Sequence, residues 1–218
     1  MTLERQIVAG DPALPIVVLL HGYDGNADDI IPFARSMGLP LTFVFPEGPL
    51  KLVGQRPRAR AWWTPDGGRD EAIAAGRPRD LSWFEPAGLI EARAQLDALL
   101  DELDRELGRP LVLGGFSQGA MLAFDLALKT RRSILAMVQL SGSRIDARHW
   151  NALLPSRAGM RAFISHGRDD GDISFAGAEA FKDDLVAAGW QIDFVAFEGG
   201  HQIPLVVLRR LKRFLQGL

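Results

Sequence analysis

A pentapeptide near the middle of the chain, Gly115-Phe116-Ser117-Gln118-Gly119, has the residue types that a serine nucleophile needs. It lies between a short apolar run and a segment rich in Ala, Leu and Met, which indicates a strand, a tight turn and a helix. Glycines beside a serine on such a turn leave its hydroxyl accessible. The start of the helix also directs backbone N–H groups at charge that develops on a bound carbonyl oxygen. The pattern predicts a nucleophile, Ser117, and part of an oxyanion hole.

A serine nucleophile needs a base, and the base needs an acid that holds its tautomer and stabilises the imidazolium. In hydrolases with this turn, the chain order is serine, acid, histidine. The four histidines lie at positions 21, 149, 166 and 201, and only the last follows both Ser117 and a group of acids at a strand end. His201 is therefore the predicted base.

The acid is predicted among Asp169, Asp170 and Asp172, which come soon after an apolar run at 161–165. Asp125, Asp183 and Asp184 fall within predicted helices, and Asp193 falls near the start of a predicted strand, which is the wrong edge of the sheet. Spacing alone leaves the three candidates open.

The second oxyanion donor is expected in the loop at residues 21–25, directly after an apolar run. We expect the backbone N–H of Tyr23 to pair with that of Gln118, and two glycines in the loop allow a close approach. His21 itself is predicted to be structural, because its side chain would point away from the place where backbone donors are needed.

Apolar runs alternate with amphipathic segments along the chain, which is typical of a mostly parallel, doubly wound sheet with helices on both faces. Ligands bind beyond the carboxyl ends of the strands in such sheets, where the residues above fall. Strands are predicted at 3–9, 15–20, 41–45, 134–140, 161–165 and 191–197, and a strand with the sharp turn at its end is predicted at 111–117. Helices are predicted after an N-cap at Asn26 or Asp28, and at 87–107, 118–130, 147–154, 174–188 and 204–215.

Residues 51 to about 86 show no persistent period, but arginine recurs and aromatic residues lie at positions 62, 63, 83 and 84. Long irregular insertions tend to be functional or mobile, so we interpret this segment as a loop excursion over the active site within one domain, residues 1–218. The favoured interpretation is a lid with solvated arginines and packed tryptophans. The alternative is that the arginines recognise an anionic group of the substrate.

The bulk composition fits a compact domain, with 218 residues, 47% hydrophobic and 24% charged. A net charge of −2 and the acids among the arginines argue against a nucleic-acid partner. The absence of cysteine excludes disulfides and thiolate sites, and no histidine pair has ligand spacing, so no metal or cofactor is expected. Without a signal-like N-terminus or a run long enough to span a membrane, we expect a cytoplasmic monomer or homodimer.

Four segments, LLHGYDGNADD, GGFSQGA, SHGRDDGDIS and GGHQIP, together resemble the α/β-hydrolase superfamily. Within it, the chain is similar to the phospholipase/carboxylesterase family of small bacterial carboxylesterases and acyl-protein thioesterases. The glutamine after the serine, the early HG-x-x-G loop and the lack of a large cap domain are the family-specific parts. The resemblance covers essentially the whole chain and implies a single-domain α/β-hydrolase fold.

The resemblance also assigns individual residues. In the family pattern HG-x-x-D the acid falls four positions after the histidine, which implies Asp170, with Asp169 in reserve. The chain departs from the family at residues 171–174, Gly-Asp-Ile-Ser, where aliphatic residues and proline are usual. The Trp62-Trp63 pair resembles an aromatic pair near the acyl pocket of the family, which implies a place in the substrate pocket.

The function that we expect is hydrolysis of carboxylic esters, or thioesters, of small or medium acyl groups through an acyl-serine intermediate. The partner is then a small-molecule ester or thioester. Acyl-protein thioesterase or lysophospholipase activity is a more specific alternative. Another is a catalytically silent binding protein with the hydrolase fold, although a binding role does not require a complete set of serine, acid and histidine.

Overall fold

A computed structural model describes residues 3–54, 56–65 and 68–218. Seven strands form one sheet in the order β1-β3-β2-β6-β7-β8-β9, and β4 and β5 form a separate two-stranded ribbon. The strands are β1 (Arg5–Val8), β2 (Ile16–Leu20), β3 (Thr42–Pro46), β4 (Leu50–Lys51), β5 (Arg60–Ala61), β6 (Leu111–Phe116), β7 (Ala136–Leu140), β8 (Arg161–Gly167) and β9 (Gln191–Phe197). The large sheet is parallel except for β1, which pairs antiparallel with β3.

Helices cover both faces of this sheet, as an α/β-hydrolase fold requires. They are α1 (Ala27–Met37), α2 (Arg69–Ala74), α3 (Leu89–Leu107), α4 (Gln118–Lys129), α5 (Ala147–Leu153) with a 3₁₀ turn at Leu154–Arg157, α6 (Phe175–Ala187) and α7 (Leu205–Gln216). Alternate residues of each strand enter different cores because successive side chains point to opposite faces. In β2, Val17 and Leu19 pack with α1 and α7, whereas Val18 packs with α3 and α4.

The order of the strands reverses next to β2. From β2 the chain crosses to β3 on one side, and β6 then pairs with β2 on the other side. Such a switch point opens a crevice at the carboxyl ends of the two strands, where α/β sheets bind ligands. The loop after β2 and Ser117 after β6 both lie there.

The predicted elements are confirmed apart from their ends. Helix α1 has Asn26 as its N-cap, since the Asn26 side chain accepts the N–H of Asp28 at 2.9 Å. Strand β8 continues through Gly167, so His166 lies inside the strand. Pro204 is the N-cap of α7 rather than a residue of its first turn. No helix in the described residues is long and apolar enough to cross a membrane.

The segment 51–86 differs most from the prediction. It was expected to be irregular, but it contributes to the β4–β5 ribbon and contains helix α2. None of the described side chains of α2 is buried, so no apolar stripe marks this helix in the sequence. The two strands of the ribbon are two residues each, which is too short for a visible alternation.

Candidate active site

Ser117 occupies the sharp turn between β6 and α4. Its backbone has φ 53° and ψ −121°, a conformation that residues other than glycine rarely adopt. The turn packs tightly against β2, because a Cβ atom on Gly115 or Gly119 would lie 2.6 Å from the carbonyl oxygen of Leu20. The Ser117 N–H donates to the carbonyl of Leu140 at 2.9 Å. Strained backbone held by its surroundings in this way is common at catalytic positions.

The loop at residues 21–25 lies directly against this turn. A Cβ atom on Gly22 would lie 3.2 Å from the Cβ atom of Ser117, so the loop backbone approaches the serine closely. Tyr23, Ser117 and Gln118 line one pocket. The structure therefore brings both predicted oxyanion residues to the pocket that contains the predicted nucleophile.

His21 holds this loop in place. Its Nδ1 lies 2.7 Å from the carbonyl oxygen of Gly22, and its Nε2 accepts the N–H of Gly48 at 2.9 Å. Because a carbonyl only accepts and an N–H only donates, the single ring proton is on Nδ1. Burial lowers the pKa of His21 to about 4, so the ring is neutral near pH 7. These contacts give His21 the structural role that the sequence predicts.

His201 and Asp170 meet at the carboxyl edge of β8 and β9. The Nδ1 atom of His201 lies 2.7 Å from Oδ2 of Asp170. The two loops approach each other closely because Gly167 has no side chain, and a Cβ atom there would overlap the carbonyl oxygens of residues 199 and 200. A glycine at the end of β8 thus allows the contact between the two side chains.

The Asp170 carboxylate is buried and ionised. Its Oδ1 accepts the N–H groups of Asp172 and Ile173, each at 2.9 Å, and its Oδ2 lies 3.2 Å from Nε2 of His166. Burial alone would raise the pKa of the Asp170 carboxyl. The hydrogen bonds from His166, His201 and the backbone outweigh that effect and hold the pKa well below its usual range. An ionised Asp170 keeps the proton of neutral His201 on Nδ1 and leaves the lone pair on Nε2.

The other two candidate acids have different surroundings. The side chain of Asp169 is exposed, and its backbone N–H donates to the carbonyl of Gly199 at 3.0 Å. The Asp172 carboxylate accepts hydrogen bonds from Nη2 of Arg79 at 2.6 Å and from Nη2 of Arg69 at 3.2 Å. Of the three acids, Asp170 is the one that the structure brings to His201.

A pocket of about 80 Å³ opens beside Ser117 and His201. The His201 ring packs on that of Phe116 with ring centroids 4.8 Å apart, which holds the imidazole at the edge of the pocket. One water needs about 10–15 Å³ on this measure, so the pocket has room for a short chain of atoms. Its apolar lining includes Trp63, Leu81, Phe84, Met121 and Ile173.

The two tryptophans of the predicted pocket take different positions. Trp63 lines the pocket. Trp62 is 1% exposed, packs on the His21 ring with centroids 5.1 Å apart, and donates Nε1–H to the His21 carbonyl at 2.8 Å. The Gln118 side chain accepts the N–H of Trp62 and donates to the carbonyl of Trp63, each at 2.9 Å. Trp62 therefore supports the pocket wall, and Trp63 forms part of its surface.

Sequence reasoning missed two sets of contacts. Arg69 and Arg79 line the pocket and bind Asp172, so for these two the interpretation as solvated arginines is wrong. The recurrent arginines and the surplus acids after β8 were the available signal. No role is predicted from the sequence for His166, although the spacing His-x-x-x-Asp places it near Asp170.

One group in the described part of the chain has the ligand types of a metal site. Atoms of Glu85, Asp146 and His149 lie within 4.8 Å of one another. The two oxygens of Asp146 already contact His149 Nδ1 and the Lys129 ammonium, the latter at 3.1 Å. Because Asp146 already has a cationic partner in Lys129, the group is better suited to an ion pair than to a metal.

Comparison with known proteins places the whole chain in one group. The sequence model described as phospholipase/carboxylesterase matches residues 3–218, and no curated protein sequence matches. The structure of esterase PE8 has 27% identity and a TM-score of 0.83, covering 100% of this chain and 99% of that one. The carboxylesterase of Bacillus cereus has 20% identity and a TM-score of 0.75 over 99% and 94% of the chains. Acyl-protein thioesterase 2 of Zea mays has 20% identity and a TM-score of 0.76 over 98% of each.

Proposed function

Because the chain belongs to the phospholipase/carboxylesterase family, we propose that it hydrolyses carboxylic esters through an acyl intermediate on Ser117. The family and the similarity to esterase PE8 support ester hydrolysis in general. The observation that carries the proposal is the 2.7 Å contact between His201 and Asp170 at the pocket that contains the strained Ser117.

In the first step the Ser117 hydroxyl attacks the ester carbonyl carbon. His201 takes the hydroxyl proton on Nε2, since its Nδ1 proton is held by the Asp170 carboxylate. The positive charge of the resulting imidazolium is stabilised by that carboxylate. His201 then returns the proton to the alcohol as the bond between the carbonyl carbon and the alcohol oxygen breaks, which leaves the acyl group on Ser117.

The negative charge that develops on the carbonyl oxygen needs donors that are already in place. We assign this role to the backbone N–H groups of Tyr23 and Gln118. The close approach of residue 22 to Ser117, and the position of Gln118 at the first turn of α4, support the assignment.

The second step releases the acid. Water attacks the acyl carbon and gives a proton to His201, which passes it to the Ser117 oxygen as the acyl bond breaks. No metal or cofactor has a role in either step. The small size of the pocket beside Ser117 favours short acyl chains over long ones.

The proposal is tested with a Ser117→Ala variant and short p-nitrophenyl esters. We expect the variant to lose at least about 10³-fold in kcat while its thermal unfolding stays close to that of the wild type. A fluorophosphonate probe should label the wild type at Ser117 and leave the variant unlabelled. As a matched control, Ser36→Ala changes an exposed serine of α1, whose hydroxyl donates to Phe33 O, and should retain full activity.

The opposite result identifies a binding protein with the same fold. A wild-type chain that neither hydrolyses the esters nor reacts with the probe would overturn the proposal. Retention of most activity in the Ser117→Ala variant would also overturn it. A thioester with the same short acyl group, assayed in parallel, separates an esterase from a thioesterase.

A further inference from the structure

His166 contacts the same carboxylate oxygen as His201. Its Nε2 lies 3.2 Å from Oδ2 of Asp170, and the side chain is fully buried near the end of β8. We propose that His166 is a positioning residue, which donates its Nε2 proton to Asp170 and fixes the oxygen on which His201 depends. This inference rests on the proposed function, because it assigns a task only if Asp170 and His201 take part in hydrolysis.

The contacts of His166 determine where its proton lies. Besides Oδ2 of Asp170, the Nε2 atom faces the carbonyl oxygen of Ile173 at 3.1 Å. Both oxygens are acceptors, so the proton is on Nε2, which lies in hydrogen-bond contact with the Ile173 carbonyl and 3.2 Å from Oδ2 of Asp170. The Nδ1 atom is buried and has no hydrogen-bond partner among the residues that the structure describes. A second proton there would be a buried N–H donor without an acceptor among the described residues, so the ring with one proton, on Nε2, fits this site.

The hydrogen bonds of Asp170 explain why a second histidine is useful. Its Oδ1 is fixed by the backbone N–H groups of Asp172 and Ile173. Without His166, His201 would be the only side chain of the described residues in contact with Oδ2, and His201 itself must gain and lose a proton during each turnover. His166 holds Oδ2 from the sheet throughout the cycle, so His201 always meets a carboxylate in one orientation. Orientation of this kind is worth large factors in rate.

Three substitutions at position 166 distinguish the loss of a hydrogen-bond donor from the loss of side-chain packing. Glutamine places an amide N–H near the position of the imidazole Nε2, asparagine places one near Nδ1, and methionine fills similar space without a donor. We expect His166→Gln to keep kcat within about threefold of the wild type. We expect His166→Asn and His166→Met to lower kcat by roughly tenfold to a hundredfold, with KM changed less than about twofold.

The pH profile gives a second readout that packing alone would not move. In the His166→Met variant, Oδ2 of Asp170 contacts His201 but no second histidine. Its negative charge then interacts more strongly with His201 and favours the protonated form of the His201 imidazole. The acid limb of kcat/KM against pH should therefore move to higher pH by about half a unit. In the His166→Gln variant, the limb should stay in place.

The outcomes are distinguishable. If His166→Met turns over like the wild type, or if folded His166→Gln is no better than folded His166→Asn, the inference is overturned and the proposed function stands. If His166→Met does not fold, the glutamine and asparagine variants decide. If the wild-type chain is inactive and Ser117 resists the fluorophosphonate probe, the proposed function fails and this inference fails with it.

Discussion

The pocket has two walls that are built in different ways. The strand-end wall consists of the loops after β2, β6, β8 and β9, which carry Tyr23, Ser117, Asp170 and His201. The segment wall consists of residues 62–65 and 68–84, from the stretch between β5 and α3. In the strand-end wall, glycines let backbones meet at distances that no side chain would allow. The segment wall has backbone hydrogen bonds as well, such as those of Arg79 with Asp172 and Ser174, but it is also attached through polar side chains, those of Gln118, Trp62 and Asp172.

This difference separates two tasks. Backbone contacts cannot be adjusted without moving strands, so the geometry for the chemistry is tied to the fold itself. Contacts made by a few side chains can change with single substitutions, so the surface that meets the substrate is free to vary. We therefore expect changes in the strand-end wall to abolish function and changes in the segment wall to tune it.

The largest effect on stability should come from Gly119→Ala in the strand-end wall. The new Cβ atom would lie 2.6 Å from the carbonyl oxygen of Leu20, which is backbone and cannot move aside. We expect a loss of more than about 3 kcal/mol in the free energy of unfolding and at least about 100-fold in kcat/KM. Urea unfolding and ester hydrolysis measure the two. Gly171→Ala is the control, since a Cβ atom there meets nothing within 4 Å, and equal effects in both variants would refute the contrast.

The same contrast between the two walls explains which parts of the site could be predicted from the sequence. Apolar runs marked the strands, and the topology alone brought positions 117 and 201 to one edge of the sheet. Spacing could not choose among Asp169, Asp170 and Asp172, because the choice depends on which carboxylate the turn directs at His201. That direction comes from the N–H groups of residues 172 and 173, which hold Oδ1 of Asp170.

The segment wall was less accessible to prediction for a physical reason. Its helix buries none of its described side chains, so the sequence has no apolar period there. The neighbours Trp62 and Trp63 look equivalent in the sequence, yet one packs on His21 and the other lines the pocket. The pairing of Asp172 with Arg69 and Arg79 joins positions about a hundred residues apart, and no local pattern reports it.

An intermediate effect on the free energy of unfolding should appear when the pH is lowered. It arises from His21, in the loop after β2 that forms part of the strand-end wall. The pKa of His21 is 6.5 when unfolded and about 4 when folded, so the unfolded chain binds a proton first. Stability is therefore full above about pH 6.5 and falls as the pH drops toward 4, by about 3 kcal/mol in total. Unfolding free energies at about pH 7 and pH 4 measure this loss. Asp170, whose pKa is lowered in the folded protein, causes a further loss of stability. That loss begins at about pH 4, the ordinary aspartate pKa, and continues at lower pH.

The comparison protein for this pH dependence is His21→Gln, which cannot titrate. Its loss of stability between the two pH values should be smaller than that of the wild type by about 3 kcal/mol. Glu47, whose pKa burial raises, titrates in both proteins and does not distinguish them. An equal loss in the wild type and in His21→Gln would show that His21 does not link the strand-end wall to pH.

The smallest effect should come from Asp172→Asn, which loosens the segment wall. Asparagine keeps the backbone N–H at position 172 that donates to Oδ1 of Asp170. It loses the negative charge that pairs with Nη2 of Arg69 at 3.2 Å and with Nη2 of Arg79 at 2.6 Å. We expect about 2 kcal/mol less stability and a KM raised roughly threefold to tenfold, with kcat nearly unchanged, because the pairs are partly exposed and lie outside the chemistry. Asp70→Asn is the matched control, since Asp70 pairs with the same Arg69 from a side chain that is 92% exposed, and such pairs contribute little. If kcat rather than KM falls in Asp172→Asn, the two walls are coupled, and the segment wall must then be counted as part of the catalytic geometry.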